Sequence, residues 1–243
     1  MVIIFAHRGA SGHAPENTIE SFDLAIEMGT KALETDVKAT LDGQLVFFHD
    51  HGVGKFPLYR PLLTMTASQL QHRLKHQAGV QVPRVVDAFL YYRRKKLLHE
   101  ITWSIDVPSH LVIDRLMAIA KAFRNEDTLY ICNEQLGPLI RWGSDGMPRD
   151  RLVWSIRDKQ IAQLGPDGIV AACKRHGITT VNVKEGWLSK RLARAIHDAG
   201  LHLFIWDCHD ERRIERVLSL HPDAIYSNYP DLAAQLVKRH GMD

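Results

Sequence analysis

The chain has 243 residues, 45% of them hydrophobic, and a formal net charge of +3. That is the size of one large α/β unit with apolar material enough for a core, which excludes a disordered chain. So small a charge gives no electrostatic argument for nucleic acid, and the basic run Arg93-Arg94-Lys95-Lys96 reads as a solvated helix end.

No apolar stretch approaches the roughly 20 residues that span a bilayer, so no transmembrane segment is expected. The opening run at 2–6 is too short for a signal-peptide core. Cys132, Cys173 and Cys208 are scattered, with no C-x-x-C spacing. Such a set fits a reducing compartment, and the expected location is the cytoplasm.

In chain order, short apolar runs predict strands at 2–6, 32–37, 45–48, 102–107, 129–132, 152–155, 179–183, 202–206 and 224–227. Helical periodicity is expected at 17–28, 85–92, 111–123, 166–174, 189–199 and 212–218. Such alternation implies a parallel sheet with helices outside it. Only seven residues separate the second and third strands, with Asp42-Gly43 among them. A parallel crossover needs a dozen or more, so the third strand returns as an antiparallel hairpin partner and eight barrel strands remain. The expected fold is a TIM-type (β/α)8 barrel forming a single domain over 1–243. An insertion at about 51–83, including a helix at 66–74, is placed to act as a lid or substrate wall.

Polar residues just past the C-terminal ends of barrel strands open into the active-site mouth. His7-Arg8-Gly9 stands there after the first strand. It offers a proton shuttle, a planar fork for two phosphate oxygens and a backbone that an anion can approach, or taken alone it reads equally as a surface loop with a chance His-Arg pair. Next, Asn17 with Glu20 reads as a capping box. Glu16 reads either as a ligand or support, or as a charge favoured at the positive helix end.

On the second strand a period of two places Glu34, Asp36 and Lys38 on one face. Carboxylates stacked inside a barrel repel unless a cation lies between them, and an all-oxygen set selects a hard ion, Mg²⁺ or Ca²⁺; the other reading is an exposed edge strand with a Glu/Lys charge pattern. Asp106, on the same face of its own strand as Ser104, is the candidate third ligand, or else a helix cap. The hairpin returns His49-Asp50-His51 to the same mouth. His49 reads as a second catalytic imidazole or a solvated loop residue; for His51 the solvated reading is favoured. Trp206 reads equally as a stacking surface for substrate or as core.

Together these pieces resemble the glycerophosphodiester phosphodiesterase family: His7-Arg8-Gly9, Pro15-Glu16-Asn17-Thr18, Glu34-x-Asp36-Val37, Asp42-Gly43 and His49-Asp50. Weaker matches are Val82-Pro83, Trp206 and 225–230. The resemblance implies metal-dependent hydrolysis of a small glycerophosphodiester to glycerol 3-phosphate and an alcohol. It implies His7 and His49 as acid and base, Glu34 and Asp36 as ligands, and attack by a neighbouring glycerol hydroxyl to give a cyclic phosphate that water opens.

Three departures stand out. The family's E-x-K appears as Asp106-Val107-Pro108, so the lysine is missing. Lys184, which shares a strand face with Asn182, is the expected substitute for binding phosphate. The family's Trp-Thr-x-Asn appears as Trp206-Asp207-Cys208-His209, and its late Thr-Asp as Ser227-Asn228. Competing readings are a lysophospholipase D-like enzyme whose 51–83 insertion holds the larger group, a non-catalytic phosphodiester-binding paralogue, and a barrel hydrolase using His-x-His ligands.

Overall fold

A computed structural model describes residues 1–55 and 58–242, apart from the side chains of residues 77 and 78. Eight parallel strands close into a barrel. They are β1 (Ile3–Ala6), β2 (Ala32–Ala39), β6 (Thr102–Asp106), β7 (Leu129–Asn133), β8 (Leu152–Ile156), β9 (Thr180–Lys184), β10 (His202–Trp206) and β11 (Ala224–Ser227). Each pairs with the next, and β11 with β1 completes the ring. As the short connection requires, β3 (Leu45–Phe47) runs antiparallel to β2, with Val37 opposite Phe47. Gly43 at φ +72° makes the turn between them, a conformation that favours glycine.

Two layers of aromatics fix the barrel. Inside, Phe5 stacks on Tyr226 at 4.9 Å between ring centroids, with Phe204 and Tyr130 around them. Above these rings the Ser104 hydroxyl joins Tyr226 Oη at 2.9 Å. Outside, Trp103 packs against Phe22, Phe47, Phe89 and Tyr92. The inward and outward assignment of the 102–107 strand is therefore as the alternation predicts.

Helices follow the strands: α1 (Ile19–Glu27), α3 (Val85–Arg94), α4 (His110–Phe123), α5 (Leu136–Ser144), α6 (Asp158–His176), α7 (Lys190–Asp198), α8 (Glu211–Leu218) and α9 (Pro230–Arg239). Three differ from expectation. α5 contains Gly137, Pro138 and Gly143, which hide its periodicity. α6 begins eight residues before the expected 166, with a break at Gly165 (φ 62°, ψ 175°) ahead of Pro166. α9 starts on Pro230, which reads as a stop signal but is well tolerated in a first helical turn.

The stretch between barrel strands two and three of the ring holds a small sheet of β4 (Gly52–Val53) and β5 (Arg60–Pro61), then α2 (Ala67–Ala78). Val53, Leu62, Met65, Leu70, Leu74 and Val82 form a satellite core with Val46 of the hairpin. The Leu62 N–H donates to the His51 carbonyl at 2.8 Å. Part of the expected 51–83 insertion, residues 56–57, lies outside the described residues.

Candidate active site

The end of β1 is tied into the barrel by the His7 N–H, which donates to the Ser227 carbonyl at 2.9 Å. Arg8 follows with φ +57°, an uncommon conformation for a non-glycine residue. Its backbone N–H donates to Glu34 Oε2 at 2.9 Å. Its guanidinium lies 2.9 Å from Glu16 Oε2 and 3.2 Å from Asp36 Oδ2. Glu16 thus supports the arginine and stands outside the carboxylate cluster. Gly9 has a packing reason to be glycine: a Cβ there would sit 2.4 Å from Ser21 Oγ.

Asn17 is a correction. Thr18, not Asn17, caps α1, accepting from the Ser21 N–H in a reciprocal capping box. Asn17 is buried at φ +56° and turned toward β2. Its Oδ1 accepts from Thr35 Oγ1 at 2.7 Å, and its Nδ2 donates to Asp36 Oδ2 at 3.3 Å. The amide therefore braces a carboxylate of the site.

Glu34, Asp36 and Asp106 converge at the barrel mouth, each presenting an oxygen within 4.8 Å of the others. Glu34 and Asp36 are buried, whereas Asp106 is exposed as a residue but has its carboxylate turned into the cluster. Burial and the neighbouring Asp36 and Asp106 push Glu34 well above the usual carboxylate range, against the pull of Arg8. Burial, Asp36 and Glu134 push Asp106 up to about 7. One guanidinium does not balance three carboxylates, so the donor set fits a hard divalent cation. Among the described residues this is the only such cluster. It contains no histidine, which sets aside the His-x-His reading.

His7 and His49 open onto one cavity of about 130 Å³, lined also by Arg8, the three carboxylates, Glu134, Asn182 and Trp206. His7 is largely enclosed, and its Nε2 lies 3.8 Å from Glu34 Oε2. Burial and the Arg8 charge lower it to about 4, so the imidazole is neutral at physiological pH. His49 is exposed, with Nδ1 2.8 Å from Asp50 Oδ1. A second lobe of about 360 Å³ adjoins the first and shares Asp36, His49, Asp106 and Glu134; Lys38 and His51 also line it.

Trp206 lines the first lobe, whereas Lys184 lines neither lobe and stands behind Trp206. The Lys184 ammonium is 3.3 Å from Asp207 Oδ2 and 5.1 Å from the Trp206 ring centroid. Trp206 in turn meets Trp187 edge-on. Glu134 and Trp187 are not singled out by the sequence, and Asn228 and His209 stand there only as departures from family motifs, with no role assigned. Glu134 falls just past β7, a position at which any polar residue merits attention. The others gain meaning only when distant loops meet. A larger groove, about 810 Å³, lies away from this site beside α1 and α2 and gathers no comparable cluster.

Residues 7–232 match the model of the glycerophosphoryl diester phosphodiesterase family. The chain belongs to this family. It is 25% identical over 245 residues to a glycerophosphodiester phosphodiesterase of Bacillus altitudinis, covering 97% of this chain and 98% of that one. The fold matches a glycerophosphodiester phosphodiesterase from Thermotoga maritima with a TM-score of 0.79, 21% identity, and coverage of 97% and 98%. It also matches an Oleispira antarctica phosphodiesterase in complex with the product sn-glycerol-3-phosphate (TM-score 0.80, 18% identity, coverage 97% and 96%). Family membership makes the protein a phosphoric diester hydrolase acting on glycerophosphodiesters. No described helix is long and apolar enough to cross a membrane.

Proposed function

We propose that the enzyme hydrolyses small glycerophosphodiesters to glycerol 3-phosphate and an alcohol, with His7 and His49 as acid and base and Mg²⁺ or Ca²⁺ as cofactor. The observation that carries this reading is that both imidazoles and all three carboxylates line one cavity. Glu34, Asp36 and Asp106 would hold the cation, which when bound supplies Lewis-acid neutralisation of phosphoryl charge.

The protein's own groups then divide the work. His7 Nε2 takes the proton of the neighbouring glycerol hydroxyl as that oxygen bonds to phosphorus. The phosphorus–alcohol bond breaks, and His49 gives its proton to the departing oxygen. Asp50, which accepts from His49 Nδ1, steadies the charge that this imidazole carries when protonated. Water then opens the cyclic phosphate with the roles exchanged, and both histidines return to their starting states.

Positive charge for the phosphate comes from Arg8 and Lys184, with Trp206 as a flat wall at the rim. Lys38 adds to these. The β2–β6 register sets Asp36 beside Asp106, so Lys38, two residues on, stands level with Pro108. It lines the second lobe and makes no ion pair with any described residue. That is one strand away from where the family lysine is missing.

A lysophospholipid substrate is the second reading. An apolar recess of about 250 Å³, lined by Phe48, Leu74, Val80 and Val82, adjoins Glu16 and Asn17. Assays on glycerophosphocholine and lysophosphatidylcholine with Mg²⁺ or Ca²⁺, with and without EDTA, test both. EDTA-sensitive release of choline from glycerophosphocholine supports the first reading. Turnover of the lysolipid alone supports the second, and metal-independent turnover removes the cofactor assignment.

A further inference from the structure

Behind His7 runs a chain of hydrogen bonds whose proton positions can be assigned one by one. His7 Nδ1 lies 2.7 Å from Asn228 Oδ1. An amide oxygen only accepts, so the proton of this bond belongs to His7 Nδ1. The Asn228 backbone N–H, which can only donate, points at His209 Nδ1 at 3.1 Å. That nitrogen must be bare, and the His209 proton therefore sits on Nε2, 3.2 Å from Asp207 Oδ1. Asp207, at φ +71°, is held by Lys184 at 3.3 Å and Arg213 at 3.4 Å. The chain ends on a carboxylate anchored by two cations.

The surrounding backbone keeps these groups in place. The Asn228 carbonyl accepts from the Gly12 N–H at 2.9 Å, and the Cys208 N–H donates to the Tyr226 carbonyl at 3.1 Å. The His7 and His209 rings lie 5.3 Å apart. Loops after β1, β10 and β11 are thus locked together around Asn228, His7 through its side chain and His209 and Gly12 through its backbone.

We infer that Asn228, backed by His209 and Asp207, is a positioning residue that holds His7 as the Nδ1–H tautomer, leaving Nε2 bare and directed toward the carboxylate cluster. The inference rests on the reading of His7 as the proton acceptor. An uncharged amide orients the ring without adding a fourth anion to a site already holding three carboxylates. The proton that a second-sphere partner fixes on one nitrogen decides which nitrogen can act.

The test is a two-bond ¹H–¹⁵N spectrum of histidine-labelled enzyme at fixed pH, with the His7 signals assigned from their loss in His7→Gln. The expected result is a His7 ring protonated on Nδ1. Asn228→Leu should lose that signature and lower kcat about 10- to 100-fold while KM moves less than about threefold. Asn228→Asp, which keeps an acceptor in place, should recover the signature and most of the lost kcat. His209→Leu should give a smaller fall, about three- to tenfold, because it frees only the backbone of Asn228. A wild-type His7 protonated on Nε2 overturns the inference, as does an Asn228→Leu enzyme that keeps both signature and kcat. The spectrum decides this even if the assays above assign a different reaction, so the two failures are separable.

Discussion

Asp36 and Asp106 sit side by side in the parallel register of β2 and β6, two carboxylates on one rung of the barrel interior. This rung stores repulsion that a proton or a bound cation relieves. At pH 8, where Asp106 is ionised and solvent screening of this exposed residue leaves only part of the repulsion, Asp106→Asn should therefore raise the Tm of the metal-free protein by about 2–4 °C, the equivalent of roughly 1 kcal/mol at this size. The same change should weaken Mg²⁺ or Ca²⁺ affinity by tenfold or more. Calorimetry on the variant checks both; a loss of stability together with unaltered metal affinity would refute the shared-rung account.

The same repulsion sets a pH dependence. Folding raises Asp106 from 3.8 to about 7, so its contribution to stability is full below the lower value and lost as pH rises through the upper one. His7 has the opposite sign: folding lowers it from 6.5 to about 4, and stability grows with pH across that window. Above about pH 6.5 only the carboxylates remain, and the metal-free Tm should fall toward pH 8. Saturating metal should raise Tm more at pH 8 than at pH 6, because at the lower pH it must displace protons. Thermal melts in both conditions decide it, and a pH-independent rise contradicts the assignment.

Lys38 and Lys184 offer a direct comparison. Lys184 already shares its charge with Asp207, whereas Lys38 makes no ion pair with a described residue. Lys38→Ala should raise KM about tenfold, the loss of one charge-assisted hydrogen bond, and Lys184→Ala about two- to fourfold. Steady-state kinetics with glycerophosphocholine distinguish them. Unchanged KM in Lys184→Ala would remove it from the phosphate site.

Asn17 should matter more than a cap does. Asn17→Ala leaves the Thr35 hydroxyl without its acceptor and places alanine at φ +56°. Destabilisation of about 2–3 kcal/mol is expected from an unmet buried donor plus backbone strain. Urea unfolding measures it; a change below about 0.5 kcal/mol, the size of an ordinary surface substitution, would show that the amide bears no such load.

The barrel was legible because its signals are local. Alternation over 32–38 and 102–107 put Glu34, Asp36 and Asp106 inside, and a seven-residue connection forced the hairpin. Asn17 was misread because Asn-x-x-Glu satisfies a capping pattern that Thr18 and Ser21 satisfy one residue later. His7 and Asn228 are 221 residues apart, and only closure of β11 onto β1 brings them together. No periodicity records such a contact. α5 and α9 were hidden for a different reason, since glycine and proline are tolerated where packing or a first turn accepts them.

The decisive measurement is kcat for glycerol 3-phosphate release by His7→Gln and His49→Gln at saturating Mg²⁺ or Ca²⁺. Each should fall by about 10²–10⁴ while metal affinity stays within about threefold of the parent enzyme. If either variant keeps more than about a tenth of the parental turnover, that histidine is not the acid or base.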